Sequence, residues 1–207
     1  MKISLIMEGM TEKVFLPHLR AFLQTRLPGK MPKLDPVLYN GRIPTGEKLR
    51  RQVETLLSVG KEPADAVIAL TDVYTGSQPP DFADAADAKA KMRRWIGENE
   101  RFYPHTAQHD FEAWLLPYWE RIQQLAKSNR ACPGSNPERV NHMKPPAHHL
   151  QEVFSKAGRG QAYVKTRDAD RILRGQDLLV AANACPELKA FLNTILRQCG
   201  GEEAMVP

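Results

Sequence analysis

Four carboxylates in this 207-residue chain stand where an apolar run gives way to polar sequence. Glu8 ends the run ISLIM, Asp72 ends ADAVIALTD, and Asp110 and Glu112 open DFEAWLL. Carboxylate oxygens suit a hard cation such as magnesium, which takes one or two from protein and completes its shell with water and phosphate. A glutamate beside a cation-held phosphate can also move a proton as general acid or base. Gly9 and Thr11 follow Glu8. A helix capped by Thr11 would turn backbone N–H groups and a positive dipole end toward a phosphate. Each residue also has a purely structural reading. Asp72 can form a turn, Glu12 can partner a helix dipole, His109 and Asp110 can cap a helix, and Glu112 can face solvent beside core Phe111, Trp114 and Leu115.

The elements that would position these residues follow from periodicity. ISLIM, residues 3–7, is the nearly continuous apolar run of a strand buried on both faces. From Thr11 to about Leu27, Val14, Phe15, Leu19, Phe22 and Leu23 recur at helical spacing, with Pro17 expected to kink the helix or shift its start. The pattern predicts a weak strand at 35–39, a helix at 46–58, a strand at 64–72 and an Ala-rich helix at 83–98. It then predicts a strand at 101–109, for which Pro104 suggests an edge position or a late start, and a helix broken at Pro117. Such alternation predicts an α/β fold, a Rossmann-like, mostly parallel sheet flanked by helices. Ligands of these sheets lie outside the carboxyl ends of the strands. Glu8 and Asp72 fall at such ends, and His109 and Glu112 follow the fourth strand onto the same rim.

Residues 128–147 are rich in Pro, Asn, Gly and Ser and read as a connector. Helices are expected near 146–157, 168–182 and 186–197, with SKAGRGQAYVK as a loop between the first two. The organisation expected is an α/β domain over 1–127, a helical basic lobe over 128–200 packed on it as one compact unit, and a tail at 201–207.

Composition narrows the class. Hydrophobic residues make up 42% of the chain, enough for a core and against disorder. No apolar run reaches the ~18 residues of a membrane span, and the N-terminal apolar stretch is too short for a signal peptide. A cytoplasmic protein is expected. Cys132, Cys185 and Cys199 form no CxxC, so reduced structural thiols are expected and a zinc site is not. The net charge of +5 is uneven: residues 1–120 are neutral, 121–175 carry +7 and 176–207 carry −2. The basic stretch points to an anionic partner such as nucleic acid, or to a solvated surface. Lys165 and Arg167 could meet a phosphate backbone and Tyr163 could stack on a base. Alternatively, Tyr163 and Val164 belong to the core. No signature of sequence-specific nucleic-acid readout occurs.

EGMTE (8–12), TDVY (71–74), HDFEAWL (109–115), NPERVN (136–141), AYVKT (162–166) and ACPEL (184–188) occur in this order. In that order they resemble a bacterial Toprim-like family of unknown function, related to the Toprim domains of OLD-family nucleases. The resemblance spans about residues 3–195. It implies a Toprim-like fold, Glu8 in proton transfer, and Asp72 as a ligand of magnesium or manganese. The Toprim pattern has a second aspartate two residues after the first, where this chain has Tyr74. Glu112 is therefore taken to complete a catalytic and metal-binding set of Glu8, Asp72 and Glu112. Gly9, Thr11, His109, Lys165 and Arg167 form the phosphate- and nucleic-acid-binding set. The leading function is a metal-dependent phosphodiesterase or nuclease acting on DNA or RNA, with an ATPase partner and a role in phage defence implied by related systems. The alternatives are a non-catalytic nucleic-acid-binding or regulatory module and a phosphotransfer enzyme on a small substrate.

Overall fold

A computed structural model describes residues 1–27, 29, 31–74, 80–140, 144–155, 162–200 and 205–207. Strands β1 (Lys2–Met7), β2 (Lys33–Leu38), β3 (Ala66–Asp72) and β4 (Phe102–Ala107) form one sheet in the order β2-β1-β3-β4. Every pairing is parallel, so all four carboxyl ends share one rim. Helices α1 (Met10–Arg26), α2 (Gly46–Ser58) and α3 (Ala85–Ile96) make the crossovers. Alternation along the strands assigns the two faces. Ile3, Leu5 and Met7 of β1 and Ile68 and Leu70 of β3 pack with Phe15, Leu19 and Leu23 of α1. Ile6, Val67 and Ala69 face the other way, against Leu49 and Val53 of α2 and Met92 of α3.

The second half covers the α1 face. A 3₁₀ helix, Phe111–Tyr118, leads into α4 (Trp119–Ala126). A short 3₁₀ turn, Pro137–Arg139, precedes α5 (Pro146–Ser155), α6 (Lys165–Leu173), α7 (Leu178–Ala184) and α8 (Pro186–Gly200). Their buried residues Leu150, Ile172, Ala181 and Phe191 belong to the same core as Ile3, Leu5 and Ile68. An aromatic cluster fastens the two halves. Trp114 stacks on Phe191 at 6.0 Å between ring centroids, and Phe15 meets Phe111 edge-on at 5.6 Å.

Several expectations change in detail. The first helix begins at Met10 with Gly9 as N-cap, so Thr11 lies in the first turn and caps nothing. Pro17 does not interrupt that helix, since its ring sits on the exposed face and only one hydrogen bond is forgone. The segment expected as one helix over 168–182 is two helices. Gly175, at φ 74°, turns the chain, and Asp177 restarts it by accepting the Leu179 N–H at 2.9 Å. Pro104 does lie on an edge strand, and Pro117 does mark a break, near the end of the 3₁₀ helix. The three cysteines are free thiols, with Cys185 buried.

Because sheet and C-terminal helices share one core, Phe191→Ala should cost about 3–5 kcal/mol, the usual range for a buried aromatic. Calorimetry should still show one unfolding transition. Two separate transitions in the variant would mean that the halves hold together independently.

Candidate functional site

Strand register builds the site. Met7 pairs with Leu70, which brings Glu8 beside Thr71 and Asp72, and Asp72 pairs with Ala107, which brings in the segment Gln108–Glu112. The Thr71 hydroxyl donates to Glu8 Oε1, and the Asp72 N–H donates to the same oxygen at 3.2 Å. The Glu8 carboxylate thus reaches across from the end of β1 to the end of β3. The ladder between β3 and β4 continues past their ends: Val73 N–H donates to Ala107 O at 3.1 Å and Tyr74 N–H to His109 O at 2.6 Å. His109 takes φ 70°, a left-handed conformation unusual for a residue with a side chain. It turns the chain from β4 into the 3₁₀ helix that carries Glu112.

Glu12, read from sequence as a dipole partner, is 5% exposed and belongs to the site. It stands three residues after the N-cap, and its carboxylate accepts the backbone N–H groups of Gly9 and of Glu12 itself. This is the reach-back half of a capping box. The expected phosphate cradle of Gly9 and Thr11 is corrected accordingly: the Gly9 N–H is already taken by a carboxylate. Gly9 is in extended backbone at φ −161°, so its conformation does not demand glycine.

Asp110 and Glu112 are buried. Asp110 Oδ2 accepts the Ala147 N–H at 3.1 Å, in the first turn of α5. Glu112 Oε1 faces Tyr163 Oη at 3.4 Å and Lys165 Nζ at 3.3 Å. Among the described residues, Asp110 Oδ1 and Glu112 Oε2 are buried with no hydrogen-bond partner. Such orphaned acceptors are costly unless a cation or proton supplies the missing interaction.

The electrostatics are those of crowded acids. Burial, reinforced by Glu12, pushes the Glu8 carboxyl up to about 7, although the Thr71 hydrogen bond opposes the rise. Burial and the neighbouring Glu112 bring Asp110 up to about 7. Burial also raises Asp72 well above the carboxylate range, and Glu8, Glu12, Asp110 and Glu112 all push in the same direction. Lys165 answers them. Burial opposes its charge, but Glu112, Asp110 and Asp72 prevail and raise the ammonium above its ordinary value.

The structure therefore gathers Glu8, Asp72, Glu112 and Lys165 from the sequence-predicted sets together with Asp110, a candidate carboxylate left out of those sets, and adds Glu12. It does not bring the rest together as expected. The Arg167 guanidinium is held bidentate by the buried Asp168, at 2.9 and 2.8 Å. His109 is partly buried, its proton affinity lowered by burial and partly restored by a hydrogen bond to the Glu138 backbone. Tyr163, expected to stack on a base, is 8% exposed and packs on Phe154. Lys165 opens α6 and does not ride on a loop; residues 156–161 of the expected loop lie outside the described residues. The added carboxylates had sequence signals: an acid at the third position of the first helix, and an Asp-x-Glu pair at a strand exit.

The donor set fits a hard cation, being all carboxylate oxygen with two acceptors unpartnered. Among the described residues, no three His, Cys, Asp or Glu side chains stand close enough to hold one as they are placed. Glu8, Glu12, Asp110 and Glu112 each lean on a separate donor. A groove of about 590 Å³ lined by His18, Phe22, Asp177 and Leu178 shares no residue with the carboxylates. No described helix is long and apolar enough to cross a membrane.

Residues 7–196 match the family described as Domain of unknown function (DUF4276). The chain belongs to that family. It is also similar to the C-terminal region of the Burkholderia pseudomallei OLD protein, at 12% identity and a TM-score of 0.53, over 96% of this chain and 98% of that one. The C-terminal region of the Xanthomonas campestris pv. campestris OLD protein aligns at 14% identity and a TM-score of 0.46, over 98% and 93% of the two chains. No curated protein matches. At such identity the first likeness establishes a common fold for this DUF4276 chain and leaves its function to be argued from the site.

The raised proton affinities set a pH dependence. Glu8 and Asp110 move from ordinary values of 4.5 and 3.8 to about 7 on folding, so the folded state binds protons more tightly. Their contribution to stability is complete below the ordinary values and is lost as pH rises through about 7. Melting temperature measured in chelator should fall between pH 5 and pH 8, and Asp110→Asn should flatten the slope. A profile that rises over this range would contradict the account.

Proposed function

We propose that this protein is a metal-dependent phosphodiesterase of Toprim type that hydrolyses nucleic acid. The observation that carries the reading is the convergence of five acidic side chains on one sheet rim, two of them with buried unpartnered oxygens, beside one lysine. Glu8, Asp72 and Glu112 would supply the carboxylates for magnesium or manganese, with water and phosphate completing the shell, and Glu12 and Asp110 would add negative charge around them. Bound there, the cation would neutralise the carboxylates and draw charge from a phosphoryl group.

The remaining roles fall to the chain itself. Glu8, at the exit of β1, would take or return a proton in the reaction. The Thr71 hydroxyl and the Asp72 N–H fix its Oε1, leaving Oε2 to act. Lys165 keeps its charge and is half exposed, so its ammonium can face a phosphate oxygen on one side while Glu112 steadies it on the other. Tyr163 holds Glu112 from behind, which gives this buried ring a positioning role. An ATPase partner and a place in phage defence belong to the same proposal and rest on the family resemblance alone.

The second reading, a non-catalytic nucleic-acid-binding or regulatory module, is favoured by Tyr74 standing in place of a second aspartate and by the lack of a ready-made cation site among the described residues. The two separate on one assay. With manganese or magnesium, the wild-type protein should cut a labelled nucleic acid, while Glu8→Gln and Asp72→Asn should each lower the rate at least 100-fold with unchanged circular dichroism. Lys165→Met should also slow cleavage. Salt-sensitive binding that survives the two acid substitutions, with no cleavage by wild type, would select the binding module.

A further inference from the structure

Six large hydrophobic side chains among the described residues are exposed, and three of them flank the carboxylate site in sequence. Met10 lies between Glu8 and Glu12, Tyr74 follows Asp72 by two residues, and Val164 directly precedes Lys165. Scattered single apolar residues on a surface need no explanation. Three bordering one polar site form a pattern, and the aromatic member is the informative one.

Tyr74 is 53% exposed, yet its backbone is held firmly: its N–H donates to His109 O at 2.6 Å, one residue before Asp110. The backbone of Tyr74 is therefore held between the exits of β3 and β4, next to the segment that carries Asp110, and its side chain is open to solvent. A phenol at this point adds no charge to five crowded acids. A cluster with that excess of carboxylates repels a polyanion except where cations intervene, so part of the grip on a nucleic acid must come from something other than phosphate. Aromatic rings supply it by stacking on bases, whatever the sequence.

We propose that Tyr74 is a base-stacking platform that makes the site take single-stranded nucleic acid, with one unpaired base lying on the ring beside the scissile phosphodiester. The proposal deepens the phosphodiesterase reading and rests on it for the position of that bond. In a closed duplex the faces of the bases are covered by their neighbours, so a duplex offers the ring nothing until it frays or opens. The platform therefore selects strands, ends or mismatches over intact double helix. It also replaces the expected role of Tyr163, whose ring is buried and unable to meet a base.

The test is a binding cycle that needs no turnover. Fluorescence anisotropy would report the affinity of a labelled single-stranded 12-mer in calcium, with an abasic unit scanned through each position. For the wild-type protein, one abasic position should weaken binding about 10-fold, within the range expected for loss of one base–aromatic stack. Tyr74→Ala should lose as much on the intact strand and nothing further on the abasic one, while Tyr74→Phe and Tyr74→Trp should retain the wild-type sensitivity. The proposal is overturned if wild type is indifferent to every abasic position, or if Tyr74→Ala remains as sensitive as wild type. A protein that shows the cycle but never cuts keeps the platform and loses the hydrolytic reading. One that cuts yet shows no cycle loses the platform alone.

Discussion

Five carboxyl groups share the carboxyl-end rim of a four-stranded parallel sheet, and their mutual repulsion is the constraint that the surrounding structure answers. The chain tolerates the crowding by giving four of the acids a donor of their own. Glu8 leans on Thr71 and the Asp72 N–H, Glu12 on the Gly9 N–H, Asp110 on the first turn of α5, and Glu112 on Tyr163 and Lys165. Conflict remains in the raised proton affinities of Glu8, Asp72 and Asp110. A fold optimised only for stability would replace some of these acids with neutral residues. Their presence together, beside oxygens unpartnered among the described residues, is what gives the rim a chemical interpretation.

The helical half of the chain explains why the crowding is sustainable. Helix α5 offers an N–H to Asp110, and α6 begins with the lysine that pairs with Glu112. Glu138, in the connector, accepts the Glu187 N–H at the start of α8 at 3.0 and 3.2 Å, while its backbone receives the hydrogen bond from His109. The connector thus braces the residue that turns β4 toward Asp110. The basic character of residues 121–175 has a matching explanation. Arg130 and Lys144 pair with Glu152, Arg167 and Arg171 with Asp168, and Arg174 with Asp170. Much of the positive charge is engaged within the lobe, and Lys165 carries it to the carboxylates.

Sheet and crossovers were legible because strands buried on both faces leave continuous apolar runs, and amphipathic helices leave a 3.6-residue stripe. Glu8 and Asp72 were legible for a related reason: a charged residue ending such a run has to sit at a strand exit. Glu12 was not, because the first turn of a helix is an ordinary place for an acid, and only the approach of Lys165 and Glu112 from distant sequence buries it. Tyr163 was left undecided between a base-stacking ring and the core, for the opposite reason. An aromatic among lysines and arginines looks available, but Phe154 and Glu112 enclose it. Helix boundaries near 175 depended on one left-handed glycine and one aspartate cap, features that periodicity does not register.

The residue at position 74 then becomes a question of balance within the site. A second aspartate there would be a sixth acid beside Asp72, whose proton affinity is already raised by four carboxylates. The acids that in this chain make such an addition unnecessary come from elsewhere, Glu12 from the first turn of α1 and Asp110 with Glu112 from the exit of β4. On the metal-dependent reading proposed above, those elements would supply the carboxylates and leave the position two residues beyond Asp72 free of ligand chemistry, while its backbone stays tied to His109. A half-exposed position beside an acidic cluster favours a side chain that is broad, uncharged and polar at its tip. Tyrosine meets all three conditions, so its presence is compatible with a working rim and does not by itself mark a lost one.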